Sequence, residues 1–242
     1  MDTVNHLGDI LGLWAHPDDE TFCCGGLAAL ASSNGQRVGC ITATRGEAGV
    51  YHPEKWSKEK IGQIRTLELS AAQSILGINE HYWLDFADGG CAQVSDEKAL
   101  TKIRAIVKEF RPNTIVTFAP NGLTGHGDHR AVSRWATLVA RQVDFRVRVL
   151  YAVVSEDAYK RHLRDMDKEL NIFFDVDEPD LYASDECYLA LRLSKDLRRQ
   201  KGKALRAMPS QTLDMLENFS IDQVCQAFGD EYFVLSGNEH RL

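Results

Sequence analysis

No stretch of this 242-residue chain approaches the ~20 apolar residues needed to span a bilayer, so a membrane-spanning helix is not expected. Basic residues are also in deficit. With 28 Lys and Arg against 35 Asp and Glu, the net charge is −7, which argues against a phosphate-binding nucleic-acid surface. Met1–His6 carries no basic run, and the apolar stretch after it is short, so a secretory signal is not expected. The cysteines (Cys23, Cys24, Cys40, Cys91, Cys187 and Cys225) show no CxxC spacing, and the adjacent Cys23 and Cys24 suit neither a zinc knuckle nor an ordinary disulfide. Reduced, mostly buried thiols in a cytoplasmic protein are the expectation. There is no internal repeat. Neither GxGxxG after the first apolar run nor GxxxxGK[ST] occurs, which weakens a nucleotide-binding module.

What is present is an ordinary globular composition, 44% hydrophobic and 26% charged, enough to bury the core of a single domain over 1–242. Strand-length apolar runs at 8–15, 37–42, 81–84, 114–118 and 147–154 alternate with segments of helical period. Those helices run from Thr21 to about Asn34-Gly35, from Ile61 to Gly77, over 95–110 and over 130–143. Alternation of this kind predicts an α/β fold with a mostly parallel sheet flanked by helices. The pattern weakens over 156–190, where a lid, a subdomain or a plain excursion all fit. A helix over 194–207 and a strand over 232–235 close the chain.

Four polar loops leave the carboxyl ends of predicted strands, the edge where open parallel sheets bind ligands. They are His16-Pro17-Asp18-Asp19-Glu20, Thr44 to Gly49, Asp85 to Gly90, and Asn121 to His129. His16 and Asp19, three apart across a proline turn, can reach a common point, and His129 supplies a third ligand. Two histidines and a carboxylate leave open positions, the pattern of a catalytic zinc site, although the set also admits Fe(II). Asp18 is then spare and suited to take a proton, His126 to stabilise an oxyanion or protonate an amine, and Asp128 to orient a histidine.

Each of these residues has a plainer alternative. Asp18 can instead cap the following helix. Glu20 reads as a helix-start charge. Arg65 and Glu68, at i,i+3, read equally as a surface ion pair or as a pocket arginine with its neighbour. Asp88 before Gly89-Gly90 reads as a turn residue or a substrate contact, and Glu47 is similarly open. Trp14, Trp83 and Trp135 fall within regular elements and read as core.

AHPDDE at 15–20, TRGEAG at 44–49, RTLE at 65–68, Asp88-Gly89 and HGDH at 126–129 resemble the LmbE-like, or PIG-L, deacetylases. Lys203…Ser210-Gln211 resembles a later family segment, so the likeness spans roughly residues 8–215. It implies a Rossmann-like fold and zinc on His16, Asp19 and His129. It also implies Asp18 as general base, His126 as electrostatic or acid partner, and Arg65 and Asp88 at positions that hold a sugar. Gly127 stands where relatives often carry Pro, and Met208 where many carry His. The expected activity is removal of acetyl from an N-acetylglucosamine-type conjugate, a small-molecule partner, with a homo-oligomer left open. The rivals are an amidase for a larger acyl or thiol conjugate and an Fe(II) oxygenase on the same three ligands.

Overall fold

The computed structural model describes residues 4–237. Five strands, β1 (Ile10–Trp14), β2 (Val38–Thr44), β3 (Glu80–Phe86), β4 (Thr114–Phe118) and β5 (Arg148–Ser155), pair in parallel. Their order is β3-β2-β1-β4-β5, so the chain leaves β1 in one direction and returns to its other side with β4. A crevice opens at that reversal, above the carboxyl ends of β1 and β4. Every residue of β1, β2 and β4 is buried, as strands covered on both faces must be.

Four helices connect these strands: α1 (Asp19–Ser33), α2 (Ile61–Leu76), α3 (Asp96–Phe110) and α4 (Gly127–Ala140). The predicted start of α4 at 130 is three residues late, because His126 caps the helix by accepting the Asp128 N–H at 3.2 Å. α1 likewise begins at Asp19 rather than Thr21. The mixed α/β architecture is as expected from the alternation of elements.

The segment 156–190 is no loose excursion. It holds α5 (Glu156–Ala158), a π-type turn, α6 (Arg164–Leu170), and β6 (Leu181–Tyr182), which adds beside β5; β7 (Leu189–Arg192) closes it. Its Leu163, Met166 and Phe173 are buried against the core. Next come α7 (Lys195–Arg206), α8 (Pro209–Asn218), α9 (Ile221–Ala227) and β8 (Asp230–Leu235). β8 runs antiparallel between β5 and β7, and α7 packs on α1 and α2. β6, β7, α8 and α9 carry too little periodicity to be read in advance. All six cysteines are free, as expected. Trp14 and Trp135 are core, but Trp83 is half-buried, with the Arg45 guanidinium 3.8 Å above its ring.

One buried ion pair joins the two ends of the chain. α1 breaks at Cys24, which leaves helical geometry (φ −146°, ψ 19°). Glu231 on β8 accepts the freed Gly26 and Leu27 N–H groups at 2.7 and 2.8 Å, capping the second half of the helix. Lys201 on α7 donates to the Phe22 carbonyl of the first half at 2.8 Å and to Glu231 at 2.7 Å. The pair thus splices a broken helix whose first turn carries Asp19. Lys203, the residue singled out from sequence, is exposed, whereas Lys201 is only 2% exposed. Removing one partner strands the other charge, so Lys201→Met is expected to cost about 3–5 kcal/mol in urea unfolding. Lys201→Met/Glu231→Leu is expected to recover part of that loss and leave about 1–3 kcal/mol for the two uncapped amides.

Candidate metal centre

The loops after β1 and β4 meet at the crevice. His16 Nδ1 lies 3.1 Å from His129 Nε2, and the Asp19 carboxylate lies 3.6 Å from the first and 3.4 Å from the second. Asp19 is held by the His16 N–H, which donates to its Oδ2 at 2.7 Å.

The backing groups fix the proton on each imidazole. His129 Nδ1–H donates to the Gly122 carbonyl at 2.9 Å, so its Nε2 presents a lone pair. Burial pushes the His129 pKa down to about 4, in keeping with a neutral ring. His16 Nε2 faces two carboxylates, Asp88 at 3.0 Å and Asp128 at 3.4 Å, so its proton sits there and Nδ1 points at His129. Burial opposes charge on His16, but hydrogen bonds to Asp128, Asp19 and Asp88 outweigh it and raise its pKa well above the ordinary value. Burial would also raise Asp19, yet His129 and His16 hold it at about 2. The carboxylates around His16 favour positive charge at this point, so the space between His16 Nδ1, His129 Nε2 and Asp19 is suited to a cation, a proton on Nδ1 or a metal ion in its place.

Two other donor groupings exist among the described residues. His16, His126 and His129 have nitrogens within 4.8 Å of one another, and His16, Asp88 and Asp128 form a second group. In the second, the carboxylates are occupied: Asp128 accepts from Gly89 N and Cys91 N at 2.8 and 2.9 Å, and Asp88 accepts from Ala48 N at 2.8 Å. They orient His16 rather than compete with it. His126 spends Nδ1 on the α4 cap, which leaves Nε2–H as a donor, and its ring meets His16 edge-on at 4.9 Å.

Several plainer readings are corrected here. Asp18 makes no helix-capping bond with its side chain. Glu20 is fully buried, and burial pushes its pKa up to about 8, so it is a neutral acid bonded to Thr21 rather than a helix-start charge. Arg65 and Glu68 form no surface pair. Arg65, 4% exposed, donates to Gly46 O at 3.0 Å, Pro17 O at 3.1 Å and Asp18 Oδ2 at 3.1 Å. Its guanidinium thus bridges the first and second loops and holds Asp18. Gly46, at φ +67°, must be glycine, because a Cβ there would lie 2.4 Å from Arg65 Cζ. Glu68 accepts from Ser210 N and Oγ, and Gln211 Nε2 donates to Gly49 O, so the late Ser-Gln pair ties down the second loop. Asp88 is spent on His16 and Ala48, and Glu47 accepts the Asp88 N–H at 2.9 Å. Both brace the loops beside His16.

Asp18 differs from its neighbours. Its backbone sits at φ 149°, a region that non-glycine residues rarely adopt, at a cost of order 1–3 kcal/mol. Burial raises its carboxyl pKa to about 7, against the lowering effect of Arg65. Sequence reasoning missed Phe118, whose ring stacks on His129 at 3.9 Å and 5°, because it reads as a core strand residue. It also missed the Gly122 carbonyl, which no side-chain motif reports.

Two hollows adjoin the centre. A cleft of about 440 Å³ reaches Asp18 between Tyr51, His52, Gln211 and Asp214. A more apolar cavity of about 190 Å³ borders Asp19 and His129.

Fold and site together define a Rossmann-like protein with a two-histidine, one-carboxylate centre at the switch point of its sheet. Residues 11–140 match the family model for PIG-L, GlcNAc-PI de-N-acetylase. The chain is 30% identical to a 1D-myo-inositol 2-acetamido-2-deoxy-alpha-D-glucopyranoside deacetylase of Saccharomonospora viridis, over 84% of each chain. It belongs to the PIG-L family. Among solved structures, N,N'-diacetylchitobiose deacetylase from Pyrococcus horikoshii superposes with a TM-score of 0.69 at 20% identity, over 98% of this chain and 87% of that one. GalB, a 4-carboxy-2-hydroxymuconate hydratase from Pseudomonas putida, shares the fold with a TM-score of 0.62 at 16% identity, over 95% of both chains. The fold alone therefore does not decide the reaction. No helix among the described residues is long and apolar enough to cross a membrane.

Arg65 ties three segments to one planar fork, which a lysine cannot match. Arg65→Lys is expected to lower stability by about 1–3 kcal/mol and to reduce kcat more than it changes KM. Thermal unfolding and steady-state kinetics on the same preparation check both.

Proposed function

We propose that this protein is a zinc-dependent N-deacetylase that removes the acetyl group from an N-acetylglucosamine-type conjugate. The convergence of His16 Nδ1, His129 Nε2 and the Asp19 carboxylate within 3.1–3.6 Å carries the reading. A divalent cation on those three groups supplies Lewis acidity toward water and the amide carbonyl.

The chain's own residues do the rest. Asp18, raised to about 7 and anchored by Arg65, accepts the proton of the attacking water. The His126 Nε2–H donates to the oxygen of the tetrahedral adduct. As the C–N bond breaks, a proton passes to the nitrogen, leaving a free amine and acetate. Asp88 and Asp128 keep His16 in the tautomer that leaves Nδ1 free. The cleft beside Asp18, with Tyr51 63% exposed at its edge, offers the sugar an aromatic surface and polar partners.

The donor set also accepts Fe(II), so metal content is measured alongside activity. Acetate release from N-acetylglucosaminyl-inositol is expected to stop on chelation and to return with added zinc. His129→Ala is expected to lose the metal. Asp18→Asn is expected to keep it while kcat falls by about 10²–10⁴. Full activity in Asp18→Asn would remove the proposed base.

A further inference from the structure

The cavity that borders Asp19 and His129 is much larger than an acetyl methyl requires. It measures about 190 Å³, whereas an apolar cavity of ~150 Å³ is enough to admit benzene. One wall comes from β5 and β8 and the other from the 156–190 segment, through Ala158, Leu163, Ile172 and Phe173. The segment that reads from sequence as an unassigned excursion therefore roofs this chamber. The lining is largely hydrophobic. Tyr232 also borders it, and its buried hydroxyl has no hydrogen-bond partner. The cleft on the Asp18 side mixes His52, Asn171, Gln211 and Asp214 with apolar side chains, and Phe22, Ile172 and Met215 line both hollows, so the two adjoin across a shared wall.

An amide positioned for hydrolysis has two substituents, one on nitrogen and one on the carbonyl carbon. A sugar's hydroxyls match the cleft's His52, Asn171, Gln211 and Asp214, and its ring face matches the apolar side chains beside them; an unbranched hydrocarbon matches the more apolar chamber. We infer that the chamber is an acyl pocket, and that the enzyme hydrolyses amides whose acyl group is longer than acetyl, about four to six carbons. This rests on the deacetylase reading above and extends it to the acyl side of the same bond. The reaction is unchanged: water adds to the carbonyl, the C–N bond breaks, and a carboxylate and a free amine leave.

Burial of each added methylene favours the transition state by about fourfold. The test uses zinc-loaded full-length enzyme with acetyl, butyryl and hexanoyl amides of glucosamine and of its inositol glycoside, measuring free amine. Butyryl is expected to exceed acetyl about 15-fold in kcat/KM. Ala158→Phe and, separately, Ala227→Phe fill the chamber from two different elements. Each is expected to bring the butyryl-to-acetyl ratio of kcat/KM back toward one. Faster turnover of acetyl than of butyryl by the native enzyme overturns the acyl pocket and leaves the deacetylase reading intact. Equal losses for every chain length in both variants also overturn it. Release of no amine from any of these amides by metal-loaded protein overturns the deacetylase reading itself.

Discussion

Two imidazole nitrogens 3.1 Å apart, beside a carboxylate, need a positive charge between them, either a shared proton or a metal ion. That arrangement survives in the fold because each ring's proton is held on its far side. The Gly122 carbonyl takes it on His129, and Asp88 and Asp128 take it on His16. Asp128 is in turn fixed by the Gly89 and Cys91 amides, and Asp88 by the Ala48 amide. Much of the polar chemistry at this sheet edge can be read as keeping that demand for positive charge in place. Asp18 stands apart in carrying strain of its own, and Arg65 is the clamp that holds it.

The sheet's parallel half was legible because β1, β2 and β4 are buried on both faces and so read as continuous apolar runs. The carboxyl-edge loops were legible for a related reason: His, Asp and Glu clusters placed directly after such runs have few structural uses. Harder to read was the direction in which each polar side chain points. Arg65 and Glu68 lie on the inner face of α2, where their charges answer to groups on distant loops rather than to each other. Glu20 looks like a helix-start charge only while its burial is unknown. Asp88 and Glu47 sit in turn-like sequence, and only the folded positions of Ala48 and His16 show what they hold.

The carboxyl-terminal third was the least legible region. β7 spans four residues and α9 seven, too few for a hydrophobic period to stand out. Met208, where relatives often have histidine, is buried at the start of α8 and joins the core. Ser210 and Gln211 that follow reach back to Glu68 and Gly49, so this region serves the site by bracing its loops. The 20%-identical chitobiose deacetylase shares this whole architecture, while the hydratase of the same fold shows how freely such a frame changes chemistry.

The break in α1 has a consequence for how the centre forms in time. Gly26 waits for a cap that lies 205 residues further along the chain. Closing so long a loop is entropically slow, whereas the β1-to-β5 unit can pair through shorter crossovers. The first half of α1, which carries Asp19, is therefore spliced to the second half only when β8 and α7 dock. A chain stalled before its last strand keeps the AHPDDE motif but lacks the brace on the helix that follows it.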